Sequence, residues 1–208
     1  MTLTPDHISH LELAISRALE HAALLINTVA NTVIAFETHH FAVFPCREIM
    51  QHIESSRQYR ASMVTLHGTD MPLPGMMMVV FSSERAAKLA LMLLSDDSSG
   101  TDMDAMRNGV FLEAGNIILN ALVEHIEGSV NAAKTVPLPL PVYSEVISDE
   151  LMAFCTALDD YTMVSAELTC KVEEISIQGR LMLIFSSARL PHIIHNIPAL
   201  QSSSTTLY

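Results

Sequence analysis

The chain has 208 residues, half of them hydrophobic and 16% charged, so it can bury a sizeable core and is not a disordered chain. Its net charge of −12, from 23 acidic against 11 basic residues, repels phosphate backbones and anionic lipid, which argues against free nucleic acid and membrane as partners. The same charge either favours a partner with a basic patch or simply keeps an apolar protein in solution.

Pro5 to Phe36 carries a long helical pattern. Its most apolar stretch, Ala22 to Phe36, is interrupted by Asn27, Thr28, Asn31 and Thr32, and is shorter than the ~20 residues that span a bilayer. The N-terminus lacks a basic stretch followed by an apolar run, so no secretory signal is expected and the protein is expected to be cytoplasmic. Pro45 to Ser55 is a mixed linking segment. Ala61 to His67 and the run from Gly75 read as a strand pair, with Ser82-Ser83 as a helix N-cap signal. Ser95 to Gly100 is a polar joint. Thr101 with Asp104 predicts a capping-box start to a second long helix, with Gly128 as its C-terminal stop. Pro141 to Ala157 is a second mixed segment, followed by strands over Met163 to Val172 and from Gly179. Gln201 to Tyr208 reads as a frayed tail.

This order contains a repeat. Gly75-Met-Met-Met-Val-Val-Phe-Ser-Ser-Glu-Arg85 matches Gly179-Arg-Leu-Met-Leu-Ile-Phe-Ser-Ser-Ala-Arg189, with Gly, Met, Phe, Ser, Ser and Arg identical. Each copy is expected to begin at a turn glycine, continue as a buried strand and end at a helix cap. A unit of roughly 100 residues is too long for a solenoid, so duplication fits better. The expected fold is α/β (α+β), one domain over residues 1–200. Its halves, about 5–94 and 101–195, are related by a pseudo-twofold axis and share one sheet with the long helices packed on it.

On the second long helix, Gly109, Glu113, Asn116, Asn120, Glu124 and Glu127 fall on one polar stripe, at roughly 100° per residue. Leu112, Gly115, Ile118, Leu119, Leu122 and Ile126 lie opposite and should be buried. None of the three glutamates has a Lys or Arg three or four residues away. A carboxylate and a carboxamide one turn apart thus face outward without a local partner. That is either a solvated helix face or a docking or catalytic surface. Gly115 lies on the buried side, where it costs about 1 kcal/mol relative to Ala in helix propensity, and it reads as permitting close packing beneath the stripe.

Other signals are weaker. Cys46, Cys155 and Cys170 share no metal-like spacing and read as small buried hydrophobes. His7-x-x-His10, His39-His40 and His192-x-x-His195 lack a completing ligand set, so no metal site is expected. No phosphate loop of the Walker or dinucleotide type and no Gly-x-Ser-x-Gly elbow is present. Asp96-Asp97 and Asp159-Asp160 read as turn formers.

Glu113-Ala-Gly-Asn-Ile117 on a long helix, Pro137-Leu-Pro-Leu-Pro141 after it, and the duplicated Gly-x-x-Met-x-x-Phe-Ser-Ser strand together resemble the CheC/CheX/FliY family. These are chemotaxis phosphatases that hydrolyse the aspartyl phosphate of the response regulator CheY. The resemblance covers roughly residues 5 to 195. In that family the helix carries Asp or Ser, then Glu four residues on, then Asn three further on. Glu113 and Asn116 match the Glu and Asn, and Gly109 stands at the Asp/Ser position. The first long helix has no second copy, because Ser16 and Glu20 are followed at the Asn position by Ala23.

The resemblance implies a phosphatase of a CheY-like receiver domain. Asn116 would position the attacking water and Glu113 would pair with a receiver cation, while Gly109, Asn120 and Glu124 would contact the partner. This chain would bind no cofactor, Mg²⁺ being supplied by the receiver. The alternative is a non-catalytic member of the same fold that docks a response regulator, a CheD-like protein or a flagellar component. A monomer and a homodimer both fit.

Overall fold

The computed structural model describes residues 4–52, 60–68, 75–94, 102–127 and 140–197. Helix α1 (Pro5–Ala30) opens with reciprocal capping: Thr4 Oγ1 accepts from the His7 amide and His7 Nδ1 accepts from the Thr4 amide, both at 3.3 Å. It stops at Asn31, which takes the left-handed conformation at φ 49°. The helical pattern predicted through Phe36 is therefore cut short. Asn27 fastens the turn, accepting from the Ile34 amide at 2.6 Å and donating to the Ile34 carbonyl at 3.3 Å. Strand β1 (Ile34–Pro45) follows, then a 3-10 turn (Cys46–Glu48) and the short α2 (Ile49–His52).

Strands β2 (Arg60–Gly68) and β3 (Gly75–Ser82) lead into α3 (Ser83–Leu93), capped as predicted by Ser82 Oγ, which accepts from the Arg85 amide at 3.4 Å. The second half repeats the order as α4 (Met103–Glu127), β4 (Val142–Ile147), α5 (Ser148–Thr156), β5 (Tyr161–Val172), β6 (Ile175–Ser186) and α6 (Leu190–Asn196). Here Ser186-Ser187 does not cap a helix. The chain makes a further turn, Arg189 N donating to Ser186 O at 2.9 Å, and α6 starts where Pro191 fits its first turn. The joint at Ser95 to Gly100, Thr101, Gly128 and the tail at Gln201 to Tyr208 lie outside the described residues.

The six described strands join one antiparallel sheet in the order β1-β5-β6-β3-β2-β4. Exchanging β1 with β4, β2 with β5 and β3 with β6 returns the same order read backwards. In the central pair Met78 lies opposite Met182, its own counterpart in the repeat, so the pseudo-twofold axis passes between them. Each edge strand pairs with the other half, β1 with β5 and β4 with β2, which locks the halves together.

The repeat glycines serve this centre. Gly179 is not a turn residue but lies within β6, where a Cβ would stand 2.5 Å from the Phe81 ring. At Gly75, the first residue of β3, a Cβ would meet the Ile184 carbonyl and approach Phe185, the counterpart of Phe81. Each glycine makes room for the other half.

One face of the sheet carries α1, α3, α4 and α6 around a large core that includes Leu19, Val64, Phe81, Leu119, Leu183 and Phe185. The other face carries α2 and α5 over a smaller core that includes Phe44, Ile49, Met78, Leu151 and Met182. Strand alternation produces this division, Val79 and Phe81 pointing one way and Met78 and Val80 the other.

The cysteines are free and fully buried, as their spacing suggested. Burial pushes the Cys46 thiol up to about 11 and that of Cys155 up to about 12, and raises Cys170 as well. The thiolate is the reactive form, so the native protein at pH 8 should resist iodoacetamide and accept three labels only after unfolding. Rapid native labelling, read by mass spectrometry, would contradict this burial.

Candidate functional site

Asp102 precedes helix α4, and its Oδ1 accepts from the Ala105 amide at 3.0 Å; the predicted cap at Thr101 lies outside the described residues. Asp104 pairs with Arg107 at 3.3 Å. The helix packs between α1 and α3 and over β2 and β3. Small residues of α1, among them Ala14, Ala18 and Ala22, are buried on its packed side and allow a close approach. Ile118, Leu119, Leu122 and Ile126 of α4 are buried, each contributing about 1.5–3 kcal/mol by removal from water. Leu112 is half-buried, while Phe111, Ala114, Ala121 and Val123 are buried as well. Flanking helices on both sides leave α4 only a narrow open strip.

That strip is the predicted one. Gly109, Glu113 and Glu124 are exposed, and Asn116 and Asn120 are half-buried. Glu113 makes no ion pair among the described residues. Asn120 Nδ2 donates to Asn116 Oδ1 at 2.9 Å, so the second amide fixes the orientation of the first. Asn116 Oδ1 retains one lone pair, and its Nδ2 keeps two hydrogens to offer. Asn120 Oδ1 is buried with no partner among the described residues, an expensive arrangement seldom kept without a use. The sequence placed Asn120 on the stripe but did not show that it holds Asn116.

Gly115 seats the strip. A Cβ there would lie 2.6 Å from Val64 Cβ and Cγ2, so the glycine lets α4 settle directly onto β2. Gly109 is different, since a Cβ there would meet nothing within 4 Å. Gly109→Ala should therefore add only helix propensity, stabilising the protein by about 1 kcal/mol and raising the melting midpoint by about 2–4 °C. A lowered midpoint in thermal denaturation would show that the added methyl group meets a neighbour at this position.

Near the start of α4, Ser62, Ser83, Asn108, Arg107, Tyr143 and Glu145 line a cavity of about 290 Å³ that sequence patterns did not reveal. Tyr143 donates to Glu145 Oε1 at 3.1 Å, and the buried Ser62 donates to Ser83 at 3.1 Å. Burial of the Tyr143 phenol, more than its neighbours, raises its pKa. Helix α1 also exposes polar side chains, Glu12, Arg17 and Glu20, but neither glutamate is followed three residues on by an asparagine. Ala23 and Ile26 are buried, while Leu24 and Leu25 are 66% and 42% exposed. They point away from the sheet because only one side of α1 faces it.

Among the described residues no group of three or more His, Cys, Asp or Glu side chains is placed to hold a metal ion. Helix α4 is long and apolar enough to cross a membrane, yet half of it is buried against neighbouring elements, as in a core helix.

No family model and no curated protein matches the sequence. Solved structures do match the fold. FliY of Thermotoga maritima superposes with a TM-score of 0.69 at 14% identity, over 95% of this chain and 98% of its own. The FliM middle domain of H. pylori gives 0.55 at 8%, over 93% and 99%. A chain of the FliG–FliM complex of H. pylori gives 0.56 at 9%, over 93% and 100%. The chain has the mixed helix and antiparallel-sheet fold of FliY and FliM, in agreement with the CheC/CheX/FliY resemblance of its sequence.

Proposed function

We propose that this protein is a cytoplasmic phosphatase of a phosphorylated CheY-like receiver domain, acting through Glu113 and Asn116. The observation that carries the reading is the strip itself. An unpaired exposed carboxylate stands one turn from an amide that Asn120 already orients, on a helix seated by Gly115. Hydrolysis of an aspartyl phosphate needs mainly a water held in line, since the receiver supplies its own metal and lysine. Asn116 can accept from that water through its free lone pair without becoming a competing nucleophile. Glu113 can pair with a receiver cation and set the register of docking. Gly109 and Glu124 flank the pair and complete the contact surface. A metal on this chain is not required.

The second reading is a binding module without catalysis, for a receiver, a CheD-like protein or a flagellar component. Structural likeness to FliM, which is solved in complex with FliG, favours it, as does the bare glycine at position 109. Phosphate release from a phosphorylated receiver decides between them. Acceleration by catalytic amounts of this protein supports the phosphatase; binding at one receiver per chain with an unchanged rate of release supports the module.

A further inference from the structure

On the side of the sheet away from α4, His40, His52, Arg85, Glu167 and Arg180 border a groove of about 680 Å³, with Phe44 and Ser165 in its wall. We propose that this groove binds a small phosphate-bearing ligand, held by Arg85 and Arg180. It is separate from the α4 strip, and the proposal does not depend on the phosphatase reading.

The duplication provides an internal control. The paired registers make Ser165, Glu167 and Arg180 of β5 and β6 the counterparts of Thr65, His67 and Met76 of β2 and β3. The first half therefore builds the same strand pair without an arginine to bridge the two strands. Arg180 donates to Ser165 Oγ and to Glu167 Oε1, both at 3.2 Å, whereas the buried Thr65 hydroxyl has no partner among the described residues. Strand pairing does not require an arginine here. Arg180 needs another reason.

Charge gives the ligand class. The chain has only 11 Lys and Arg and a net charge of −12, yet two arginines and two histidines face this groove against one carboxylate. Glu167 offsets Arg180 and lies 3.9 Å from His40 Nε2. Arg85, whose Nη1 donates to the Gln178 carbonyl at 3.4 Å, has no acidic partner among the described residues. An excess of planar donors of this kind suits a dianionic phosphate better than a single carboxylate.

Two features show that the groove is shaped. His40 sits in the left-handed region at φ 49°, where the β1–β5 register shifts between His39 and Ala42. Such a bulge re-aims side chains at a cost in backbone strain. His52 lies flat on Phe44, ring centroids 3.9 Å apart and planes 8° from parallel, which leaves a planar wall.

That wall makes adenosine monophosphate a suitable probe, with adenosine as its phosphate-free control. In histidine side-chain NMR spectra of the whole chain, the monophosphate should give saturable shifts confined to His40 and His52, and adenosine none. Arg180→Met, which installs the residue found at the counterpart position, and Arg85→Gln on the surface should each weaken binding at least tenfold. Folding of each variant is checked by circular dichroism; should Arg180→Met not fold, Arg85→Gln decides alone. A loss below tenfold in a folded variant, saturable shifts with adenosine, or none with the monophosphate overturns the proposal.

Discussion

Asn116→Ala is expected to lower phosphate release from a phospho-receiver by about 100-fold, the scale of misplacing a reacting group by an ångström, while leaving receiver binding largely intact. The amide orients water and supplies little affinity, so the loss should appear in turnover. Glu113→Ala should weaken both binding and turnover, because its partner is a receiver cation. Glu113→Lys should be worse, since it places like charges together. Asn120→Ala should fall between wild type and Asn116→Ala: the 2.9 Å hydrogen bond that orients Asn116 is lost but the reacting amide remains. Phosphate-release kinetics alongside calorimetric titration separate these effects. Wild-type release by both alanine variants would remove Glu113 and Asn116 from the mechanism.

Gly115→Ala is expected to destabilise the fold although Ala is the better helix former. Its Cβ would stand 2.6 Å from two carbons of Val64, a side chain fully buried beneath α4. Overpacking of this kind costs about 1–3 kcal/mol, which outweighs a propensity gain of about 1 kcal/mol at the upper end of that range. At about 2–4 °C per kcal/mol, the melting midpoint should fall by several degrees. If instead α4 lifts to relieve the clash, phosphatase activity should fall with little loss of stability, because the strip moves with the helix. Val64→Ala in the same chain should restore whichever quantity was lost. An unchanged midpoint and unchanged activity in Gly115→Ala would show that nothing depends on the close seat of α4 on β2.

Where the sequence was silent, a tertiary contact was responsible. Strand β1 stayed hidden because a bulge at His39 to Ala42 shifts its alternation: Ile34 and Phe36 before it and Phe41 and Val43 after it all face the long helices. Strand β4 stayed hidden because two of its residues on that same face, Tyr143 and Glu145, are polar-tipped and line a cavity. Gly179 looked like a turn, but its lack of a side chain serves the Phe81 ring from the other half. Arg180 stood in plain view opposite Met76 in the repeat. Only the β5–β6 register showed it meeting Ser165 and Glu167.

The long helices, the two buried strand pairs, the duplication and the outward stripe of Gly109, Glu113, Asn116, Asn120 and Glu124 are all legible in the residue pattern. Each of these follows from local periodicity or from direct self-comparison. Tertiary structure alone decided that the edge strands cross between halves, that Asn120 holds Asn116, and that Arg180 faces a groove on the far side of the sheet. Strand order and side-chain pairing depend on contacts between residues far apart in the chain, and a repeat of 3.6 or 2 carries no information about which distant element lies on the other side.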